Sequence, residues 1–390
     1  MMLDRLKADG HDVAVLGLYG NQAGMEFYDT PHGPVPLYPV GAIHYGLDVC
    51  DQQAKHWFRG EPGVVITLFD VWVLGGKNAP RFEGLPVASW TPIDHDPVPP
   101  DVHKWAQAHK TIAMSRFGQE ALAAVGVKSA YIPHGLGAEW RHTPSDIRQR
   151  MSVPEDAFLV TMNAANIGTP NLDRKAWIQN LRAFSLFARN HDDVLLYLHT
   201  DPTRPDGFPI PAYLHYLGLP GDRMRLTDLF AYRSGLIPTS EIVELYSATD
   251  VLLAASSGEG FGLPVAESML CGTPAIVTDF SAQPEIVGDT GWKIEYEPFW
   301  DKMQKSDVAM PSTAGIYEAL EEAYAERGSI KAVERSIAAE ERARAEYDAD
   351  TVYAEKWRPY LAGLEASLTE PPEEPHKPNR AERRAAKRAA

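Results

Sequence analysis

Residues 256–288 read SSGEGFGLPVAESMLCGTPAIVTDFSAQPEIVG. The run that leads into them, VLLAAS at 251–256, shows no alternation of polar and apolar residues and reads as a buried strand of a parallel sheet. Gly258, Gly260 and Gly262 then allow a tight turn and a close backbone approach to a ligand, and Pro264 suits the first turn of a helix. The amides of Gly262 and Leu263 are expected to face a cleft. A helix N-terminus carries unpaired N–H groups and partial positive charge, worth about 0.3 to 2 kcal/mol toward a nearby anion, so a phosphate is the natural guest. Glu259 sits in the loop and Glu267 one turn into the helix, which lets two carboxylates reach one cleft from different heights. Carboxylates accept hydrogen bonds and vicinal hydroxyls donate them, so the pattern points to a phosphorylated sugar.

Glu259 and Glu267 lie inside EGFGLPxxES, followed by CGTPAIVTD and PEIVG. This resembles the signature of retaining GT-B-fold glycosyltransferases of family 4, the glycosyl transferases group 1. The resemblance implies transfer of a hexose-type sugar from a nucleotide diphosphate sugar to an acceptor, with retention of anomeric configuration. It assigns Glu267 to the ribose, Glu259 to a hydroxyl of the transferred sugar, and Gly260, Phe261, Gly262 and Leu263 to the donor's surroundings. Lys175, in NLDRKAWIQNLRAF, matches a lysine that binds the donor diphosphate. The family often has an arginine several residues earlier, which this chain lacks; either Arg174 substitutes or the position goes unfilled. His95, in TPIDHDPVPPD, matches a histidine near the sugar's reacting carbon, and Leu226 and Thr227, in MRLTD, match backbone that meets the base. Ser115, Arg116, His134 and Gly135 are expected to shape the crossing between domains. Asp94 and Asp96 form a D-x-D, a short and common motif; GT-B chemistry needs no metal, so no metal or other cofactor is expected beyond the donor substrate.

The rest of the chain alternates strands with helices, which means open parallel sheets covered by helices. In the first part the expected strands are VAVLGLYG, GPVPLYPVG, VVITLFDVWVL, PVASWTPID, TIAMS and AYIPHGL. After 137–154, where apolar periodicity fades, come AFLVTMNAA, a helix from about Arg174 to Asn190, VLLYLHT, RMRLTD, a helix from about Ser240 to Thr249, VLLAAS and PAIVTD. The expectation is α/β with two doubly wound Rossmann-like domains: 1–140 on the acceptor side, 155–325 on the nucleotide-sugar side, and ligands at the carboxyl ends of the strands. By resemblance, helices in 326–368 pack back across the first domain. The opening LDRLKADGHDVAVLGL resembles the family's first helix and second strand, so the N-terminal domain is expected to lack its first strand: either the native start codon lies upstream, the favoured reading, or the domain is incomplete.

At 390 residues the chain exceeds one ordinary core. It has no apolar run of eighteen residues and no signal-peptide core at its start, and its two cysteines, Cys50 and Cys271, lack disulfide or metal spacing; a cytoplasmic protein without a transmembrane segment is expected. A net charge of −16 argues against general nucleic-acid binding by the body of the protein. Residues 369–390 end in KPNRAERRAAKRAA and read as a disordered basic tail. The acceptor is left open among protein, glycan and modified nucleic acid. The alternative function is a catalytically inactive nucleotide-sugar or glycan binding protein on the same fold.

Overall fold

The computed structural model describes residues 2–17, 24–74, 82–168 and 172–369. The basic tail, and the end of the expected first strand, lie outside the described residues. Strands β1 (Val15–Leu16), β2 (Glu26–Tyr28) and β3 (Val35–Tyr38) form a small sheet in the order β1-β3-β2. Strands β4 (Val65–Leu68), β5 (Val87–Thr91), β6 (Lys110–Ala113) and β7 (Ser129–Tyr131) form a parallel sheet in chain order. Among the described residues no ladder joins these two sheets, so β1 and β4 are each paired on one side.

The second half holds β8 (Phe158–Asn163), β9 (Val194–His199), β10 (Met224–Leu226), β11 (Val251–Leu253), β12 (Ala275–Thr278) and β13 (Trp292–Ile294). They make one parallel sheet in the order β10-β9-β8-β11-β12-β13. β9, β11 and β12 are buried along their whole length, as continuous apolar runs require of strands covered on both faces. An antiparallel hairpin, β14 (Tyr296–Asp301) and β15 (Ser306–Pro311), comes after them in the chain.

Six helices position the site and join the two halves: α1 (Arg116–Ala124), α2 (Trp177–Ala188), α3 (Thr239–Ala248), α4 (Leu263–Leu270), α5 (Ile330–Tyr347) and α6 (Arg358–Thr369). Phe184 and Phe187 of α2 pack on Val160 and Leu196 to fill one face of the large sheet. A separate core joins the two halves: Trp90, Ile112 and Ile132 share it with Phe261, Val265 and Trp357. Trp357 meets Trp90 edge to face at 4.9 Å, and Arg358 Nε donates to Asp9 Oδ2 at 2.8 Å, so the last helices lie against the first half. No described helix is long and apolar enough to cross a membrane.

Three details differ from the sequence reading. VVITLFDVWVL is not one strand: β4 stops at Leu68 and a short helix, Val71–Leu74, succeeds it, because the Val73 amide turns back to the Asp70 carbonyl and buries Val71 and Val73. Arg174 and Lys175 stand in a turn ahead of α2 rather than on it. The turn is closed by Ala176, whose left-handed φ of 48° separates the two cations from the helix, and is fixed by Asn180, which donates to the carbonyls of Lys175, Ala176 and Ala255. The hairpin β14–β15 had no counterpart in the sequence reading.

Candidate functional site

The glycine loop sits where the two parallel sheets face each other with their carboxyl ends. A Cβ on Gly260 would lie 2.2 Å from Cβ of Pro92, and one on Gly258 would lie 2.4 Å from the Asp94 carbonyl oxygen. These two glycines are therefore required by the close approach of the loop to the segment after β5. That corrects the expectation that they make room for a ligand. Gly262 is different: its φ of 112° is a conformation open to glycine, and it caps α4 without any side-chain hydrogen bond. Phe261 turns its ring away from the loop into the shared core, 5.1 Å from His134 and 5.2 Å from Tyr347, which makes its side chain a packing element.

The charged groups converge beneath this loop. Ser257 pins the turn of Arg174 and Lys175, its amide donating to the Arg174 carbonyl at 2.8 Å. Lys175 Nζ then donates to Glu259 Oε1 at 2.5 Å. Arg174 Nη1 lies 3.1 Å from Asp94 Oδ2 and 3.8 Å from Glu259 Oε2, which ties the cationic turn to both halves. Burial alone would raise the Glu259 carboxyl, but Lys175 and then Arg174 hold it below its ordinary value and keep it ionised. Lys175, Glu259, Asn163 and Gly262 line a small cavity of about 30 Å³.

Glu267 stands one turn into α4. Its Oε2 accepts from the Tyr246 hydroxyl at 3.4 Å, and Tyr246 accepts from Asn163 Nδ2 at 2.8 Å. Burial pushes its carboxyl up to about 7, against a smaller opposing effect of Tyr246. The two glutamates thus differ near neutrality: Lys175 and Arg174 keep Glu259 ionised, whereas burial leaves Glu267 partly protonated. Leu226 is half exposed and lines a pocket of about 360 Å³ with Tyr197, His199, Asp228 and Glu241, whereas Thr227 is buried and its amide donates to the Leu198 carbonyl.

His95 is buried between carboxylates from the two halves. Its Nδ1 lies 2.6 Å from Asp94 Oδ1 and its Nε2 3.5 Å from Asp301 Oδ2. Burial favours the neutral ring, yet Asp94 and then Asp301 hold its pKa above the usual histidine value. Both nitrogens are occupied, so the ring is oriented as a bridge. Asp301 comes from the hairpin, whose β15 also pairs its Asp307 with Asp96 through two backbone hydrogen bonds. Ser115 caps α1, and Glu285 from PEIVG accepts from the amides of Arg116 and Phe117, a carboxylate from one half capping a helix of the other. Asp301, Glu285, Tyr246 and Asn163 escaped the sequence reading. Only Glu285 left a signal there, as an acid in a quoted motif. Among the described residues no group of three His, Cys, Asp or Glu is placed to hold a metal ion.

Two Rossmann-like halves, closed on each other at the carboxyl ends of their parallel strands, define the GT-B glycosyltransferase fold. Residues 234–305, which include the glycine loop and α4, match the family described as Glycosyl transferases group 1. Over 57 residues the chain is 40% identical to O-antigen chain mannosyltransferase B of Escherichia coli, a match that spans 15% of each protein. Among solved structures, sucrose-phosphate synthase from Thermosynechococcus elongatus superposes with a TM-score of 0.69 at 18% identity, covering 93% of this chain and 92% of that one. HepE of Anabaena, in complex with UDP and glucose, gives a TM-score of 0.63 at 17% identity, with 94% and 95% covered.

Proposed function

We propose that the protein is a glycosyltransferase that moves a sugar from a nucleotide diphosphate sugar to an acceptor, with retention of anomeric configuration. One observation carries the reading: two half-buried acids whose carboxyls are shifted in opposite directions flank the start of α4, with Lys175 and Arg174 against one of them. The donor's diphosphate is held by Lys175, by Arg174 and by the amides at Gly262 and Leu263. Glu259, kept ionised, accepts a hydroxyl of the transferred sugar, and Glu267 accepts the ribose hydroxyls. As the bond from the anomeric carbon to the diphosphate oxygen breaks, negative charge grows on the leaving group while the sugar becomes oxocarbenium-like. Lys175 and the α4 amides stabilise that charge where it develops, and losing one such preorganised group costs about 100-fold to 1,000-fold in rate.

The close packing of the glycine loop on Pro92 and Asp94 excludes water from the reacting side and limits donor hydrolysis. His95, bridged across the halves, holds the loop after β5 beside the sugar. The binding of UDP in a structural relative supports a nucleotide-sugar donor, as does the mannosyltransferase likeness in the matched segment. The test is turnover with a panel of UDP- and GDP-sugars. The parent is expected to release nucleotide diphosphate from at least one, and Lys175→Ala and Glu267→Ala to lose it; variants as active as the parent would refute the assignment.

A further inference from the structure

Four aromatic rings run outward from the junction of the two halves. Phe117, in the first turn of α1, meets Phe280 with ring centroids 5.4 Å apart, and Phe280 meets Tyr296 at 5.2 Å. Tyr296 opens β14, where residues two and four apart share a face, so Pro298 and Trp300 continue the row. Tyr296 is 36% exposed and Trp300 52%. Opposite the row in register, Ala309 and Pro311 of β15 are buried, which leaves the rings of β14 as the exposed part of that face; on the other face Asp301 reaches His95, Val308 is buried, and Met310 Sδ accepts from Gln179.

The geometry points to this row as an acceptor subsite that takes a saccharide chain, its rings lying flat on Tyr296 and Trp300. Its role as the acceptor's place rests on the glycosyltransferase reading. Aromatic faces are electron-rich and sugar rings present polarised C–H groups on a flat face, so the two stack. The row consists of rings and a proline, with no aliphatic ridge of the kind that seats a helix. Asp307, opposite Trp300 in register, adds an acceptor for hydroxyl donors on the same face.

The row is also rigid. The hairpin is held to the first half by the Asp96–Asp307 pair of backbone hydrogen bonds and by Ser306 Oγ donating to the Pro97 carbonyl, and to the second by the Ala309 amide on Ser257. A platform fixed in this way loses little conformational entropy on binding. It is continuous with the site as well: Ser281, next to Phe280, accepts the Glu259 amide at 2.9 Å. An anionic lipid surface is disfavoured, because residues 295–307 hold four acidic residues against two lysines.

The experiment uses the full chain on a glass-bound array of oligosaccharides built from glucose, galactose, mannose and N-acetylhexosamines. Parent, Trp300→Phe and the double variant Tyr296→Ala/Trp300→Ala are compared, with melting curves in UDP-glucose and GDP-mannose run alongside. The parent is expected to bind at least one saccharide class, the double variant about tenfold more weakly, and Trp300→Phe close to the parent, with the donor-dependent rise in Tm the same in all three. A parent that binds no glycan, or a double variant that binds as well as the parent, overturns the proposal. So does binding to phosphatidylglycerol vesicles that the double variant loses while glycans are ignored. Glycan binding lost in the double variant, without any donor effect on Tm, would support the saccharide row while sinking the glycosyltransferase reading.

Discussion

Replacing Glu267 by glutamine should make the protein more stable at pH 8 while damaging its grip on the donor. The carboxyl has an ordinary value of 4.5 and is pushed to about 7 by burial beside Tyr246, with Asn163 behind the tyrosine. At 1.36 kcal/mol per decade, the difference is about 3 kcal/mol. The folded-state pKa is raised, so the folded protein holds a proton that the unfolded chain has released. Stability from this group is full below 4.5, falls as pH rises, and is lost above about 7. Spread over the unfolding entropy of 390 residues, roughly 0.8 kcal/mol per kelvin, the loss corresponds to a Tm change of about 4 °C. Differential scanning fluorimetry of parent and Glu267→Gln between pH 5 and pH 8 reads this directly: the curves converge at pH 5 and the variant melts higher at pH 8. Binding of the nucleotide sugar selected by the turnover panel, whose diphosphate does not titrate in this range, should run the other way. The parent binds more tightly as pH rises through 7, and the variant binds about tenfold or more weakly at pH 8, because an ionised acceptor has been lost. A variant whose Tm tracks the parent's at every pH would refute the electrostatic reasoning.

Lys175→Arg should retain part of the turnover and Lys175→Met almost none, and Lys175→Met should also lower stability by about 3 kcal/mol, since Glu259 is left ionised without its lysine; chemical denaturation alongside an activity assay separates the two effects. Gly260→Ala places a methyl against Pro92, so the loop must withdraw from the first half, and turnover should fall at least about tenfold, as an assay at saturating donor will show. Glu285→Ala takes the acceptor from the amides of Arg116 and Phe117, leaving α1 only its Ser115 cap, and should lower stability by about 1 kcal/mol in urea unfolding. Asp301→Asn should lower the His95 midpoint followed by ring NMR. Because that pKa is raised in the fold, the stability His95 adds is present below 6.5 and disappears as pH climbs past the raised value, and the variant should show less of it.

The large sheet was legible because its strands are apolar on both faces. VLLYLH and AIVT admit no other reading between turn signals, and both are buried throughout. The pairing of Glu259 with Lys175 was not legible: 84 residues separate them, and what joins them is a left-handed turn at Ala176, a conformation that an alanine gives no warning of. The glycines misled for a similar reason. A glycine announces that something comes close, and here the close neighbour is Pro92 of the other half. YEPFWDKMQKSDVAMP alternates too weakly to announce a hairpin, since four of the six residues of β14 are exposed and four of the six of β15 are buried. With the hairpin went Asp301, and with Asp301 the reason why His95 bridges two carboxylates.

The position of the donor is the deciding quantity, and a crystal structure with the nucleotide sugar selected by the turnover panel measures it. The diphosphate should sit within hydrogen-bond reach of Lys175 Nζ and the first amides of α4, with the ribose on Glu267. A donor bound with its diphosphate remote from Lys175 and its ribose clear of Glu267 would contradict the proposed chemistry.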